Sequence, residues 1–289
     1  MPVWKVSVQH SGLTLQKFLK EHLDPSISAK KIKRSLDAGK CSINGRTERF
    51  ASSLVGTGDR VAIEELEETK TAVKLSTTQI LYSDADVLAY NKPAGITSDN
   101  PLITDVLNKQ FGPVILLHRL DKQTSGVLLF ARNEITARDI EILFKQRAVK
   151  KTYYAIVDGV PKKTEGKISD FLGKLHAYQG QTLWGSVSKE QGLPAVTAWN
   201  RKKVGKGASL LTCFPETGRT HQIRIHLSDI GHPILGDHQY GRQFNCSYKA
   251  PRILLHAFAV EFCYKTNIIV TAPLPADFLE AMKVLKLDG

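Results

Sequence analysis

From Ile80 onward the chain is built of short β-rich runs separated by turns: ILYSDADVLAYN, VILLH, GVLLFA, KTYYAIVDG, AVTAWNRKKV, SLLTCF, ILLHAFAVEF and NIIVTA. Runs this short, rich in Val, Ile, Leu and aromatic residues and closed by polar or glycine-bearing turns, fit a mainly antiparallel sheet. Helical spacing interrupts them at about 133–147, at about 220–230 and in the terminal ADFLEAMKVL. The expected class is therefore α+β with a mixed, mainly antiparallel sheet, spanning residues 79–289.

The first 64 residues read as a separate small α/β module. In TLQKFLKEHL, Leu15, Phe18, Leu19 and Leu23 recur at helical spacing, which gives one amphipathic helix. Ser28 is placed to cap a second helix, whose buried stripe is Ile32 and Leu36 and whose stop is Gly39. CSING then forms a short strand ending in an Asn44-Gly45 turn, and GDRVAI forms a turn and a strand. Residues 65–78, ELEETKTAVKLSTT, are polar and aperiodic and read as a linker.

Charge narrows the choice of partner. The chain carries a net charge of +12 with a pI near 9.5, and such a surplus draws polyanions by releasing their counterions. Eleven Lys/Arg against six Asp/Glu fall in residues 1–64, with Lys30, Lys31, Lys33 and Arg34 on the second helix. Nucleic acid is the expected partner of that helix. The four cysteines form no C-x-x-C pair, so neither a zinc cluster nor a disulfide framework is suggested. No apolar stretch reaches the eighteen or so residues of a membrane helix, and the start lacks a signal-peptide core. No membrane partner is expected, and the cytoplasm is the expected compartment.

Two stretches carry chemistry. In LLHRLDKQTSGVLLFAR, residues 116–132, a polar loop bearing Asp121 sits between two apolar runs, a stiff mount for a reactive group. In PETGRTHQIRIHLSDIGHPILGD, residues 215–237, Thr220 is the expected cap of a helix. Its apolar face is Ile223, Leu227 and Ile230, leaving His221, Arg224 and Ser228 together on another. A guanidinium there can pair with a carboxylate. His221, His226 and His232 lack an i,i+4 ligand pair and a third ligand, so no metal is expected. A hydrolase reading of His118 or His221 with Asp121 lacks a nucleophilic Ser or Cys elbow.

The N-terminal segment resembles the alpha-L RNA-binding motif of a small-subunit ribosomal protein and several RNA-modifying enzymes, in its K-K-I-K-R helix, GKCSING and GDRVAI. That motif opens on Arg-Leu-Asp, where this chain has Leu13, Thr14 and Leu15. Over residues 80–280, YNKPAGITS, HRLDKQTSG, KTYYAIVDG and TGRTHQIRIHL stand in the order of the motifs of RluA-type pseudouridine synthases. The resemblance implies the pseudouridine synthase fold and isomerisation of uridine in structured RNA. Ribosomal RNA of the large subunit is the favoured substrate, with transfer RNA the alternative.

The same resemblance implies that Asp121 is the nucleophile and that Tyr153 stacks on the target base. Arg224 would pair with the catalytic carboxylate, Arg119 would fill the space of a flipped base and contact the RNA backbone, Ile223 would pack beside the pocket, and His221 is expected to join them in binding the substrate. Tyr153 and Tyr154 lie on opposite faces of a strand, so only one can face a pocket. Lys92 and Pro93 are expected to brace the catalytic loop. The isomerisation adds and removes nothing, so no cofactor is expected, and the chain shows no Walker loop or G-x-G-x-x-G. A carboxylate is ionised at neutral pH without an activating base. A monomer is expected.

Overall fold

The structure, a computed structural model, describes residues 2–24, 27–37, 39–64, 75–178, 181–241 and 243–287. The chain divides into two compact units, Met1–Ala72 and Val73–Gly289. Most of the expected linker, residues 65–74, lies outside the described residues, as does the side chain of Lys30.

The first unit comprises β1 (Val3–Lys5), α1 (Leu15–His22), α2 (Ala29–Asp37), β2 (Cys41–Ile43), β3 (Arg46–Thr47) and β4 (Arg60–Ile63). Its sheet runs β1-β4-β2-β3. Thr14 accepts the Lys17 N–H to open α1, and the Ser28 hydroxyl accepts the Lys31 N–H at 3.2 Å. Gly39, at φ 72°, turns the chain out of α2 while its N–H bonds the Leu36 carbonyl. Asn44 and Gly45 both take positive φ, as a two-residue hairpin turn between β2 and β3 requires. Leu15, Phe18, Leu19, Ile32 and Leu36 are fully buried, each contributing roughly 1.5–3 kcal/mol. That burial leaves Arg34 exposed and Lys31 and Lys33 partly exposed on the same helix.

The second unit comprises β5 (Ile80–Ser83), β6 (Val87–Lys92), α3 (Pro101–Phe111), β7 (Ile115–Leu116), β8 (Ser125–Ala131), α4 (Glu134–Lys145), β9 (Lys150–Asp158), β10 (Glu165–Tyr178), β11 (Gln181–Ser186), β12 (Leu193–Val204), β13 (Ala208–Pro215), α5 (Gln222–Asp229), β14 (Leu255–Tyr264), β15 (Thr266–Thr271) and α6 (Ala276–Leu285). One eleven-stranded sheet runs β11-β10-β12-β13-β9-β14-β8-β6-β5, with β15 on β14 and β7 on β8. Every ladder is antiparallel except β8 with β14. The class is the expected one.

The parallel joint lies near the middle of the sheet, and β8 is buried at every residue, as its unbroken SGVLLFA run requires. Gly126 makes the joint possible. It takes φ +116°, and a Cβ there would stand 2.1 Å from the Ala257 carbonyl oxygen. The loop that carries Asp121 enters the sheet at this point.

Three elements differ from the sequence reading. Helix α3 was not expected; Asn100 caps it and Pro101 opens it, with Ile103 and Leu107 buried one turn apart. The β10–β11 hairpin was also unexpected, because its glycines and charged residues break the alternation of an ordinary strand. Helix α5 is not capped by Thr220. His221 takes the cap position in the left-handed conformation with no side-chain cap bond, and the Gln222 side chain instead accepts from the Thr217 hydroxyl and the Arg219 N–H. Residues 222–227 are all buried, so α5 is enclosed on every side rather than amphipathic.

Candidate active site

Asp121 sits on a loop bonded from several directions. The Ser98 hydroxyl accepts the Leu120 N–H at 2.8 Å and donates to the Leu120 carbonyl at 2.9 Å. The Gly95 N–H reaches the Lys122 carbonyl at 2.7 Å, and the Thr124 N–H closes a turn onto the Asp121 carbonyl. Lys92 is fully buried, and its ammonium donates to the carbonyls of Pro93, Ile96 and, at 3.4 Å, Lys122. Burial pulls its pKa down to about 7, against the opposing charge of Asp121. Arg252, paired with Asp277, donates to the Gln123 carbonyl at 3.4 Å. Nδ1 of the buried His256 lies 2.9 Å from the Ser125 hydroxyl. The YNKPAGITS stretch thus supplies much of the scaffold under HRLDKQTSG.

A cavity of about 660 Å³ opens above this loop, within the usual range for a small-ligand site. Asp121, Arg119, Tyr153, His221, Ile223 and Arg224 all line it. The Arg224 Nη1 lies 3.5 Å from the Asp121 carboxylate, but its main partner is another acid. Nε and Nη2 grip Asp237 at 2.6 and 2.9 Å, and Nη2 also donates to Gln239 at 2.9 Å. The guanidinium lies over the Tyr240 ring, 4.9 Å from its centroid. Burial works against its charge and the Asp237 bonds outweigh that, so its pKa stands above the ordinary value. Arg224 is thereby fixed in place, with Nη1 directed at Asp121.

Tyr240 gathers one face of α5. His221 Nδ1 is 2.7 Å from its hydroxyl, Ser228 donates to its backbone carbonyl and Arg224 covers its ring, so the three residues expected to share a face meet on one residue. Burial lowers the His221 pKa, with Asp121 opposing, and raises that of Tyr240 to about 12. Asp237, Gln239 and Tyr240 escaped the sequence reading, although Asp237 ends the stretch that drew attention.

Alternation along β9 divides its two tyrosines. Tyr153 lines the cavity, where burial and then the Asp121 charge raise its pKa. Tyr154 stacks on Phe258 at 4.4 Å and accepts a bond from Lys202. Arg119 is largely exposed, 3.4 Å from Asp99. The three histidines considered for a metal part ways: His226 Nδ1 is 2.9 Å from the Thr197 hydroxyl and His232 bonds the Asp158 carbonyl.

A family model described as RNA pseudouridylate synthase matches residues 86–229, which include the Asp121 loop, Tyr153 and α5. An RNA pseudouridine synthase of Zymomonas mobilis is 39% identical over 215 residues, covering 70% of this chain and 96% of the relative. The chain belongs to the RNA pseudouridylate synthase family. It is thus an isomerase acting on RNA. Ribosomal large subunit pseudouridine synthase C of Buchnera aphidicola is 34% identical over 216 residues, covering 69% of this chain and 68% of its own. An RNA pseudouridine synthase of Synechocystis is 29% identical over 295 residues, covering 95% of this chain and 90% of the relative. Among solved structures, human RNA Pseudouridylate Synthase Domain Containing 4 superposes with a TM-score of 0.64 at 28% identity, over 73% of this chain and 94% of that one. Among the described residues no helix is long and apolar enough to cross a membrane.

Proposed function

We propose that this pseudouridine synthase acts on specific uridines of large-subunit ribosomal RNA, with Asp121 as the nucleophile. One observation carries the reading: of the residues lining the cavity only Asp121 and Glu216 are acids, and Glu216 is held by Lys167 at 2.6 Å. That leaves Asp121, oriented by Arg224 at 3.5 Å, as the carboxylate available to a bound nucleotide. The isomerisation breaks the bond from the anomeric carbon to the ring nitrogen and joins that carbon to C5 of the uracil. The C5 proton leaves and the ring nitrogen gains one. The carboxylate starts this either by attacking the anomeric carbon or by taking a proton from its neighbour, and both routes begin at Asp121.

The other roles follow from position. Tyr153 offers a ring against which the extruded uracil can stack, with Ile223 as apolar packing beside it. Arg224, held by Asp237, aims the carboxylate. His221 lines the pocket as a neutral polar contact. Arg119 is exposed at the rim, free to occupy the gap left by the flipped base and to meet the backbone. Extrusion costs about a few kcal/mol and least in loops and bulges. Lys30, Lys31, Lys33 and Arg34 give the first unit a cationic helix that suits structured RNA, and the enzyme works as a monomer of two units, residues 1–64 and 79–289. The relatives named as large-subunit synthases favour ribosomal over transfer RNA.

The test is genetic. Chemical labelling of pseudouridines in ribosomal RNA from a deletion strain should show one or a few sites missing, restored by the wild-type gene and not by Asp121→Asn. Intact sites in the deletion strain would refute the ribosomal substrate.

A further inference from the structure

We propose that Lys151, with Arg147 and Arg219, forms a subsite for one backbone phosphate of the RNA chain beside the extruded uridine. The proposal rests on the isomerase reading above and assigns a part of the KTYYAIVDG motif that reading leaves unused.

Lys151 precedes Tyr153 by two residues on β9, so both side chains share the face that lines the cavity. Residues so spaced stand about 6.8 Å apart along a strand, within the span of a single nucleotide. The surroundings of Lys151 are poor in counter-charge: its one hydrogen bond is to the Thr217 carbonyl at 3.3 Å, and among the described residues no carboxylate pairs with it. Burial drags its pKa down to about 8. The adjacent His118 adds no competing charge: its Nε2 accepts the Leu129 N–H, and burial, then the Lys151 charge, lower its pKa to about 4. An ammonium desolvated without an acid is stabilised when a ligand brings the negative charge.

Two of the other cations lining the same cavity, Arg147 and Arg219, complete the subsite. Arg147 follows α4 at φ 59°, its N–H on the Phe144 carbonyl. Its side chain is exposed and has no carboxylate partner among the described residues. Arg219 spends only its Nε, on the Pro194 carbonyl. Gly218 has no Cβ, and one placed there would lie 3.9 Å from the Lys151 ammonium. A phosphate can therefore approach the backbone beside that ammonium, in the cavity that Arg147 and Arg219 also line.

The test compares wild-type protein with Lys151→Met, Lys151→Arg and Arg147→Gln, by fluorescence polarisation of a labelled uridine-containing RNA hairpin across a salt titration. Lys151→Met and Arg147→Gln should each weaken binding about tenfold at low salt and reduce the salt slope by about one, while Lys151→Arg keeps the slope. Arg147 is exposed, so its variant reports even if Lys151→Met fails to fold. Hairpins carrying one neutral methylphosphonate linkage, moved stepwise past the target uridine, should weaken wild-type binding at a particular linkage and have no added effect in Lys151→Met. Unchanged slopes in folded Lys151→Met and Arg147→Gln, or equal methylphosphonate effects in wild type and Lys151→Met, would overturn the subsite. Turnover is measured separately by release of C5 tritium, so its absence would count against the isomerase reading and leave the binding result standing.

Discussion

The Asp121 loop and the cationic rim line one cavity and are built on opposite plans. In the loop, polar groups are spent inward: Ser98 holds Leu120 twice, Gly95 and Lys92 hold Lys122, and Arg252 holds Gln123. In the rim, Arg147 and Lys151 have no carboxylate partner among the described residues, and Arg219 bonds the Pro194 carbonyl through Nε. The difference separates two tasks. A reacting carboxylate must be held to within a fraction of an ångström, whereas a polyanion is gripped by donors the fold has left unspent.

If the loop side depends on fixed geometry, removing a buried anchor of its guanidinium partner should cost both turnover and stability. Asp237→Ala leaves the Arg224 guanidinium buried without its bidentate partner. Turnover should fall roughly 10²-fold and stability by about 3–5 kcal/mol, read by tritium release and by denaturant unfolding. Full activity in a stable Asp237→Ala protein would show that Arg224 needs no such anchor.

The first unit extends the rim's plan to a second surface. Lys31→Gln/Lys33→Gln/Arg34→Gln should cut RNA affinity roughly tenfold at low salt and lower the salt slope by about two to three, with turnover at saturating RNA little changed. A slope identical to wild type would remove α2 from the RNA-binding account.

A last effect concerns the inward-spent side as pH falls. His256 is fully buried between the Ser125 hydroxyl and the Ala272 carbonyl, and burial lowers its pKa from 6.5 to about 4. The unfolded chain binds the proton first, so the neutral histidine's contribution is complete above about pH 6.5 and is lost as pH falls toward 4, at roughly 1.4 kcal/mol per pH unit. Unfolding free energies measured across that window should decline more steeply in wild type than in His256→Gln, and equal slopes would contradict the assignment.

Much of this was legible in the residues themselves. The helices near 133–147 and at ADFLEAMKVL, the eight β-rich runs and the caps at Ser28 and Gly39 are local matters of periodicity and backbone preference, and α4, α6 and the matching strands form accordingly. Helix α3 carried its own signal in Asn100-Pro101, a capping residue followed by proline at the first helical position. The partners of Arg224 are another case. A buried guanidinium gripped by Asp237 and roofed by Tyr240 is a tertiary choice among many acids and aromatics, and no periodicity announces it. The same holds for Lys151, whose lack of a carboxylate exists only once β9 and the 215–219 loop are packed together.

The most direct trial of the account uses RNA transcripts labelled with tritium at C5 of uridine, since joining C5 to the sugar must expel that atom. Wild-type protein should release tritium in proportion to pseudouridine formed. Asp121→Asn should bind the same RNA with closely similar affinity and release on the order of 10⁴-fold less. Release by Asp121→Asn at near the wild-type rate would contradict the assignment of the chemistry to this carboxylate.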